Sequence, residues 1–299
     1  MKIKIRILFQ ILFISFIIFQ SLIFCKREKI GFSEPTFIYD GYPLNVPQEK
    51  DVLYFSVLPY KNSLELAYDF DPLVKHLSEK TQRRIIFKPL DQYYKIHLLL
   101  EKNKLHLAMI DPYVYVSRNV SNDYIFSVKP VFKNVQKNKS LLVARNDNPV
   151  KSIFEIKANQ EKIVLSFDNP DSTFGYIIPL RILKNLDIDP EKFKDIAFSS
   201  NFENTIQGIL SGNFDLGWVD VLAFEKFKIT AIGLKVLYES EEFEHYPIII
   251  QKDLPPELQQ KLIDAFLNLN ENQHKEILQS IHPQLIGFRK TSESEFKNL

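Results

Sequence analysis

The chain has 299 residues, 45% hydrophobic and 25% charged, enough for a substantial core and for two domains. Lys and Arg number 38 against 37 Asp and Glu, and a net charge of +1 speaks against a nucleic-acid face, which needs a basic excess or stripe. One cysteine cannot make an internal disulfide, and eight glycines leave little room for loops that cradle a cofactor phosphate.

Lys2, Lys4 and Arg6 precede an apolar run from Ile7 to Phe24. This is the charge-then-apolar pattern of an export signal, and it is also just long enough to be an uncleaved membrane anchor. Residues 1–24 are therefore set aside from the fold. Cys25 follows at once, where an exported lipoprotein carries its lipid attachment site. Phe24 stands where a small residue is usual, so a chance cysteine beside an anchor fits the same pattern. On either reading the body is exported, periplasmic or at the cell surface, and tethered to the membrane. Residues 25–50 are rich in charge and Pro and read as the tether.

From Asp51 onward strands and helices alternate. Leu53–Leu58 reads as a strand, Ser63–Lys80 as a helix with Leu66, Phe70, Leu73, Val74 and Leu77 on one face, and Ile85–Lys88 as a strand. Gln92–Lys102 is a helix and Leu105–Ile110 a strand, followed by Asp111-Pro112, an N-cap with proline at the first helical position. The pattern restarts with strands at Ser140–Ala144, Ile163–Phe167, Ile196–Phe198 and Asp215–Val219. Helices alternate with them at Ser152–Ala158, Phe174–Asn185 and Phe202–Leu210. Strands at Val236–Tyr238 and Ile248–Gln251 and helices at Leu254–Leu267 and Gln273–Ile281 complete the chain. Alternation of this kind predicts parallel strands covered by helices on both faces. Two such series suggest two α/β lobes: residues 51–141 with 240–299 forming a discontinuous first lobe, and 142–239 the second.

Open α/β sheets bind ligands outside the carboxyl ends of their strands. The turn Asp168-Asn169-Pro170-Asp171-Ser172-Thr173-Phe174-Gly175 lies there, between a strand and a helix start. Ser172 and Thr173 place two hydroxyls beside the unpaired N–H groups of a first helical turn, a neutral socket for an anion. The same two residues are also ordinary N-caps. Tyr60 and Tyr93 occupy comparable turns in the first series, and Asn201 opens the helix at Phe202. Asp111 reads as a structural cap, since a carboxylate in an anion cleft would repel the ligand. The six histidines have no metal-ligand spacing, and neither a hydrolase nucleophile elbow nor a phosphate-binding glycine loop is present. The reading is a binding protein, not an enzyme, with no metal and no cofactor.

An ordered set of motifs carries a family resemblance. Pro59-Tyr60, Leu73-Val74-Lys75-His76-Leu77, Tyr93 and Leu107-Ala108-Met109-Ile110-Asp111-Pro112 come first. Asn169 to Tyr176 with Pro179, and Ser211-Gly212-Asn213-Phe214-Asp215-Leu216-Gly217, come later. Together they resemble the phosphate-, phosphite- and phosphonate-binding solute-binding proteins of ABC transporters. The resemblance implies a type II periplasmic-binding-protein fold, two β/α lobes around a hinge and a ligand cleft. It implies a monomer that captures a small anion, probes no nucleic acid, and delivers its ligand to an ABC permease. By position it assigns the oxyanion to Ser172, Thr173 and Tyr93, with Asn201 and Tyr60 nearby. Several positions depart from the family: Phe174 replaces a serine, Phe202 a histidine and Ile110 a tyrosine, and the acidic residue that in phosphonate binders meets the ligand's amino group falls at about Tyr246. Fewer donors and a more apolar pocket follow, so a ligand with an apolar substituent, or a different small solute, is expected in place of aminoethylphosphonate. A ligand sensor of the same fold without a transport role, and an enzyme on the same scaffold, are the alternative readings.

Overall fold

In the computed structural model residues 52–117, 120–228 and 233–297 are described; the segment 1–24, Cys25 and the tether 25–50 lie outside the described residues. The first sheet starts from β1 (Val52–Val57), buried along its whole length, as a parallel strand covered on both faces must be. Asn62 opens α1 (Ser63–Thr81) by accepting the N–H groups of Leu64 and Glu65, which satisfies donors a helix start leaves free. Leu66, Phe70, Leu73, Val74 and Leu77 are all buried, so the stripe of helical period does face the core. β2 (Arg84–Phe87), α2 (Tyr93–Glu101) and β3 (Leu107–Met109) follow, with β2 and β3 both parallel to β1. α3 (Pro112–Ser117) starts at the proline, as Asp111-Pro112 predicts.

β4 (Tyr124–Phe132) has no counterpart in the sequence reading, because Lys129 and Pro130 interrupt its apolar pattern. It nonetheless sits inside the sheet, between two partners. From Ser140 the chain builds a second sheet: β5 (Ser140–Arg145), β6 (Val164–Phe167), β7 (Asp195–Phe198), β8 (Leu216–Asp220) and β9 (Leu234–Glu239). Their order is β7-β6-β8-β5-β9. The helices around it are α4 (Ile178–Asn185), α5 (Phe202–Leu210) and α6 (Val221–Lys228). Trp218, Phe167, Leu165 and Leu142 form the centre of its core. The chain then returns to the first sheet with β10 (Ile248–Gln251), α7 (Pro256–Leu267), α8 (Glu271–Ile281) and β11 (Leu285–Lys290). That sheet reads β11-β4-β10-β3-β1-β2.

Both sheets are mixed, not wholly parallel. β10 enters antiparallel to β3 and β4, and β5 runs antiparallel to β8 and β9. These are strands that begin or end a passage between the sheets, so no crossover helix sets their direction. The two passages, 133–139 and 240–247, pair with each other: Asn138 and Phe243 exchange N–H···O=C bonds of 2.8 and 2.9 Å. Beside them Glu244 is buried and pairs with Lys129, Lys137 and Arg289. Lys129 also holds Glu295 at 2.7 Å.

Lys129 is 1% exposed, which only its carboxylate partners make tolerable. Removing one member of such a buried network leaves the others uncompensated. Lys129→Ala is expected to cost about 3 kcal/mol, the low end for a broken buried pair, because Lys137 and Arg289 still face Glu244. Urea denaturation measures this, and a loss below about 1 kcal/mol would show that the network is not what stabilises β4.

Candidate functional site

Three strands deliver an aspartate to one place. Asp111 follows β3 by two residues, Asp168 directly follows β6, and Asp220 ends β8. Asp111 and Asp168 are fully buried and Asp220 is 3% exposed. They come from both sheets, at the carboxyl ends where α/β folds bind their ligands.

The Asp168–Gly175 turn forms the socket. Ser172 accepts the N–H of Gly175 at 3.0 Å, and Thr173–Ile177 form a π-helical turn that leads into α4. The sequence reading expected one regular helix from Phe174. Pro179 contributes no N–H, and the Gly175 carbonyl instead accepts the Asp168 N–H at 3.3 Å. Gly175 is required here: a Cβ would stand 2.4 Å from the Asp168 Cβ and 2.9 Å from the Phe202 ring. Ser200 closes the other side in a left-handed conformation (φ 74°), its N–H on the Asp168 carbonyl at 2.8 Å. Such a backbone costs on the order of 1 kcal/mol in a non-glycine residue.

A carboxylate fills this socket. Asp111, from the first sheet, accepts the Thr173 N–H at 2.8 Å and the Thr173 hydroxyl, and also caps its own helix through the Tyr113 N–H at 3.2 Å. The helix start thus holds carboxyl oxygens that come from the other sheet. Tyr93, at the start of α2, adds a second link by donating its hydroxyl to Asp168 at 3.2 Å. His97 supplies a third, with Nε2 at 3.3 Å from an Asp171 oxygen.

The site is acidic and dry. Burial pushes the Asp168 carboxyl up to about 7 against the pull of the Ser172 and Tyr93 hydroxyls, and its Oδ1 makes no well-formed hydrogen bond. Burial raises Asp220 to about 6 against the Ala223 N–H and the Tyr246 hydroxyl. Asp111 is raised well above the usual carboxylate range by burial, with the Thr173 and Tyr113 N–H groups working against it. Tyr93 and Tyr246 are raised by burial and then by these acids, so both are hydroxyl donors at neutral pH. Among the described residues no group of His, Cys, Asp and Glu could hold a metal ion.

Beyond the socket lies a cavity of about 100 Å³, bounded by both halves of the chain. Tyr60, Phe202, Asp220 and Tyr246 are among its lining residues, with Phe202 and Tyr246 on the side of the socket. Tyr246 donates to Asp220 at 3.2 Å and packs edge-on against Phe174, with ring centres 5.4 Å apart.

The family model for ABC transporter, phosphonate, periplasmic substrate-binding proteins matches residues 55–296. The chain belongs to this family. The phosphonates-binding periplasmic protein of Escherichia coli (strain K12) is 20% identical over 250 residues, 80% of this chain and 72% of that protein. The phosphate-import protein PhnD of Mycolicibacterium smegmatis is 22% identical over 242 residues, 76% of this chain and 72% of its own. PhnD1 of Prochlorococcus marinus (MIT 9301), solved in complex with methylphosphonate, shares the fold with a TM-score of 0.75. It is 22% identical, covering 83% of this chain and 95% of that one. The fold is that of type II periplasmic binding proteins, with two β/α lobes about a hinge and a ligand cleft. The family is a substrate-binding component of transporters, not a class of enzyme.

Of the residues singled out in the sequence, Tyr93, Ser172 and Thr173 come together around Asp111 and Asp168. Tyr60 stands apart, partly open to solvent on the cavity wall, its hydroxyl raised by burial and then by Asp220. Asn201 caps α5, accepting the Asn204 N–H at 2.8 Å, so its side-chain oxygen is already engaged. The departures from the family differ in effect. Phe202 and Tyr246 line the cavity. Phe174 is fully buried between Phe243 and Tyr246, and Ile110 is fully buried just after β3, its N–H on the Pro247 carbonyl at 3.0 Å. Asp168 and Asp220 are not among the expected contacts. The signal that finds the two acids is their position at strand ends.

Asp168 gives a pH test. Its folded pKa lies above its unfolded value, so the folded state binds more protons between about 4 and 7, and stability from this group falls as pH rises through that window. The stability of Asp168→Asn relative to the parent is expected to grow by up to roughly 1.4 kcal/mol per pH unit from 4 to 7, then level off. Denaturant titrations at pH 4, 5.5, 7 and 8 measure the difference. A gap that does not change with pH would mean Asp168 is ionised throughout.

Proposed function

We propose that this protein captures a small phosphorus oxyanion, of the phosphonate or phosphate type, between its two lobes and delivers it to an ABC permease. The observation that carries this reading is the Asp111 carboxylate on the Thr173 N–H and hydroxyl. A helix start that donates to carboxyl oxygens from across the cleft offers the same donors to a phosphoryl oxygen. The relatives' names point the same way, to phosphonates, phosphate and methylphosphonate. Tyr93, Ser172 and Thr173 would contact the ligand, with Tyr60 and Asn201 at the margins of the site. The first lobe is residues 51–141 with 240–299, the second 142–239. Their hinge is the paired passages around Asn138 and Phe243.

In this scheme the ligand takes the place of the Asp111 carboxylate. The acids then matter by their protonation: neutral Asp111 and Asp168 donate to a phosphoryl oxygen, ionised ones repel it. Affinity for the anion therefore falls as pH rises past about 7. The charged start at Lys2, Lys4 and Arg6, the apolar run Ile7–Phe24 and Cys25 support export and tethering by a lipid or anchor. The protein would act as a monomer.

Calorimetric titration of the full chain with phosphate and methylphosphonate at pH 6 and pH 8 tests the reading. Ser172→Ala with Thr173→Ala removes two hydroxyls from a charged ligand, each worth about 1.5–3 kcal/mol, and is expected to weaken binding at least a hundredfold. Asp111→Asn keeps the cap but not the charge, and should flatten the loss of affinity between pH 6 and 8. Unchanged binding in the double variant would leave the pair as mere helix caps.

A further inference from the structure

We propose that the ligand carries a compact apolar substituent of about four carbons, butyl-sized, which fills the cavity beside the socket; this rests on the oxyanion reading above. The walls are the first observation. Met109, Phe132 and Phe288 come from the first lobe, and Phe202, Leu222 and Phe227 from the helices of the second. An occupant therefore touches both lobes and favours the closed arrangement, which is how a solute-binding protein converts binding into closure.

Continuity with the socket is the second. The Phe202 ring lies 2.9 Å from the point where a Gly175 side chain would begin, and Tyr246 packs on Phe174. Both residues face the cavity on their other side. A group attached to an oxyanion at Thr173 has only these two rings to pass before it enters.

The polar atoms on the wall are the third. Both Asp220 oxygens are engaged, one by the Ala223 N–H at 2.6 Å and one by Tyr246. Lys61 is held by Asp69. His282 accepts the Gln284 N–H on Nδ1 at 3.1 Å, so its Nε2 carries the hydrogen, and burial holds its pKa down to about 4. That N–H leans on the Leu222 carbonyl without a well-formed bond. Glu203 and the exposed Lys226 complete the charged groups that face the space. A polar substituent such as an aminoethyl arm would lose its hydration against Met109, Phe132, Leu222 and Phe288, while Asp220, the nearest acid to the socket on this wall, is already engaged.

Size sets the limit. A cavity of about 150 Å³ lined by aliphatic and aromatic side chains holds a benzene molecule; about 100 Å³ suits four carbons. Left empty, the lining atoms forfeit their dispersion contacts.

The test is calorimetric titration of the full chain with inorganic phosphate and with methyl-, ethyl-, propyl- and butylphosphonate at one pH. The dissociation constant is expected to fall about fourfold per added methylene, so that butylphosphonate binds roughly sixtyfold tighter than methylphosphonate. Ile281→Phe, which fills the cavity from α8, should bring the butyl-to-methyl ratio close to one, and Ala223→Phe should do the same from α6. Methylphosphonate binding as tightly as butylphosphonate overturns the proposal while leaving the oxyanion reading intact. Failure of every phosphonate and of phosphate to bind overturns both.

Discussion

The contact between Asp111 and the start of the Thr173 helix is what the rest of the cleft depends on. It joins a strand end of one sheet to a helix start of the other, and it places acceptor oxygens against N–H and O–H donors that no backbone carbonyl satisfies. Once it is made, Tyr93 reaches Asp168 and His97 comes to Asp171. The contacts between elements of the two sheets thus centre on the protein's own Asp111 carboxyl, at the donors that the proposed ligand would use. Any anion that binds there must offer more than Asp111 does, and what Asp111 offers depends on its proton.

That proton links electrostatics to selectivity. Three acids buried within one site cannot all ionise cheaply, because each has lost its hydration; Asp220 in turn raises Asp168, and Asp168 raises Asp111. A site built of lysine or arginine would attract any anion at any pH. Hydroxyls, backbone N–H groups and protonated carboxyls discriminate instead by geometry and hydrogen-bond count. The absence of a cation among Asp111, Asp168, Ser172, Thr173 and Tyr93 therefore does not argue against an anionic ligand. It argues for one that is held by short, directional donors.

Much of the frame was legible from sequence because it is local. The stripe Leu66, Phe70, Leu73, Val74 and Leu77 and the Asp111-Pro112 start need only nearby residues to make sense. β4 was not legible, since Lys129 is stable in a strand interior only through Glu244, 115 residues away, and Glu295, 166 away. The candidate site divides the same way. Ser172 and Thr173 announce themselves as a helix start, whereas the use of Thr173 by Asp111 spans 62 residues and two sheets. Asp111 reads as a cap, and it is one, through Tyr113; both of its oxygens also accept from Thr173, cross-sheet work that no local pattern encodes. Phe174 was grouped with Phe202 as making the pocket apolar, yet its side chain turns away from the cavity to pack on Phe243.

Phe202 and Tyr246 are departures from the family that line the cavity, and Phe202 also stands against the socket. A histidine there would present a donor to the oxyanion, while a phenyl ring gives the cavity a wall and presses against Gly175. The loss of one polar contact and the gain of apolar surface are the same event at one position. A relative binding a small, fully polar phosphonate gains most from donors. A site that has exchanged a donor for a ring regains affinity only if the ligand brings carbon to meet it, at about 25 cal/mol per Å² buried. On the proposed reading the socket fixes the head of the ligand and Phe202 selects its tail, so that specificity would reside less in the Ser172–Thr173 pair than in the ring beside it.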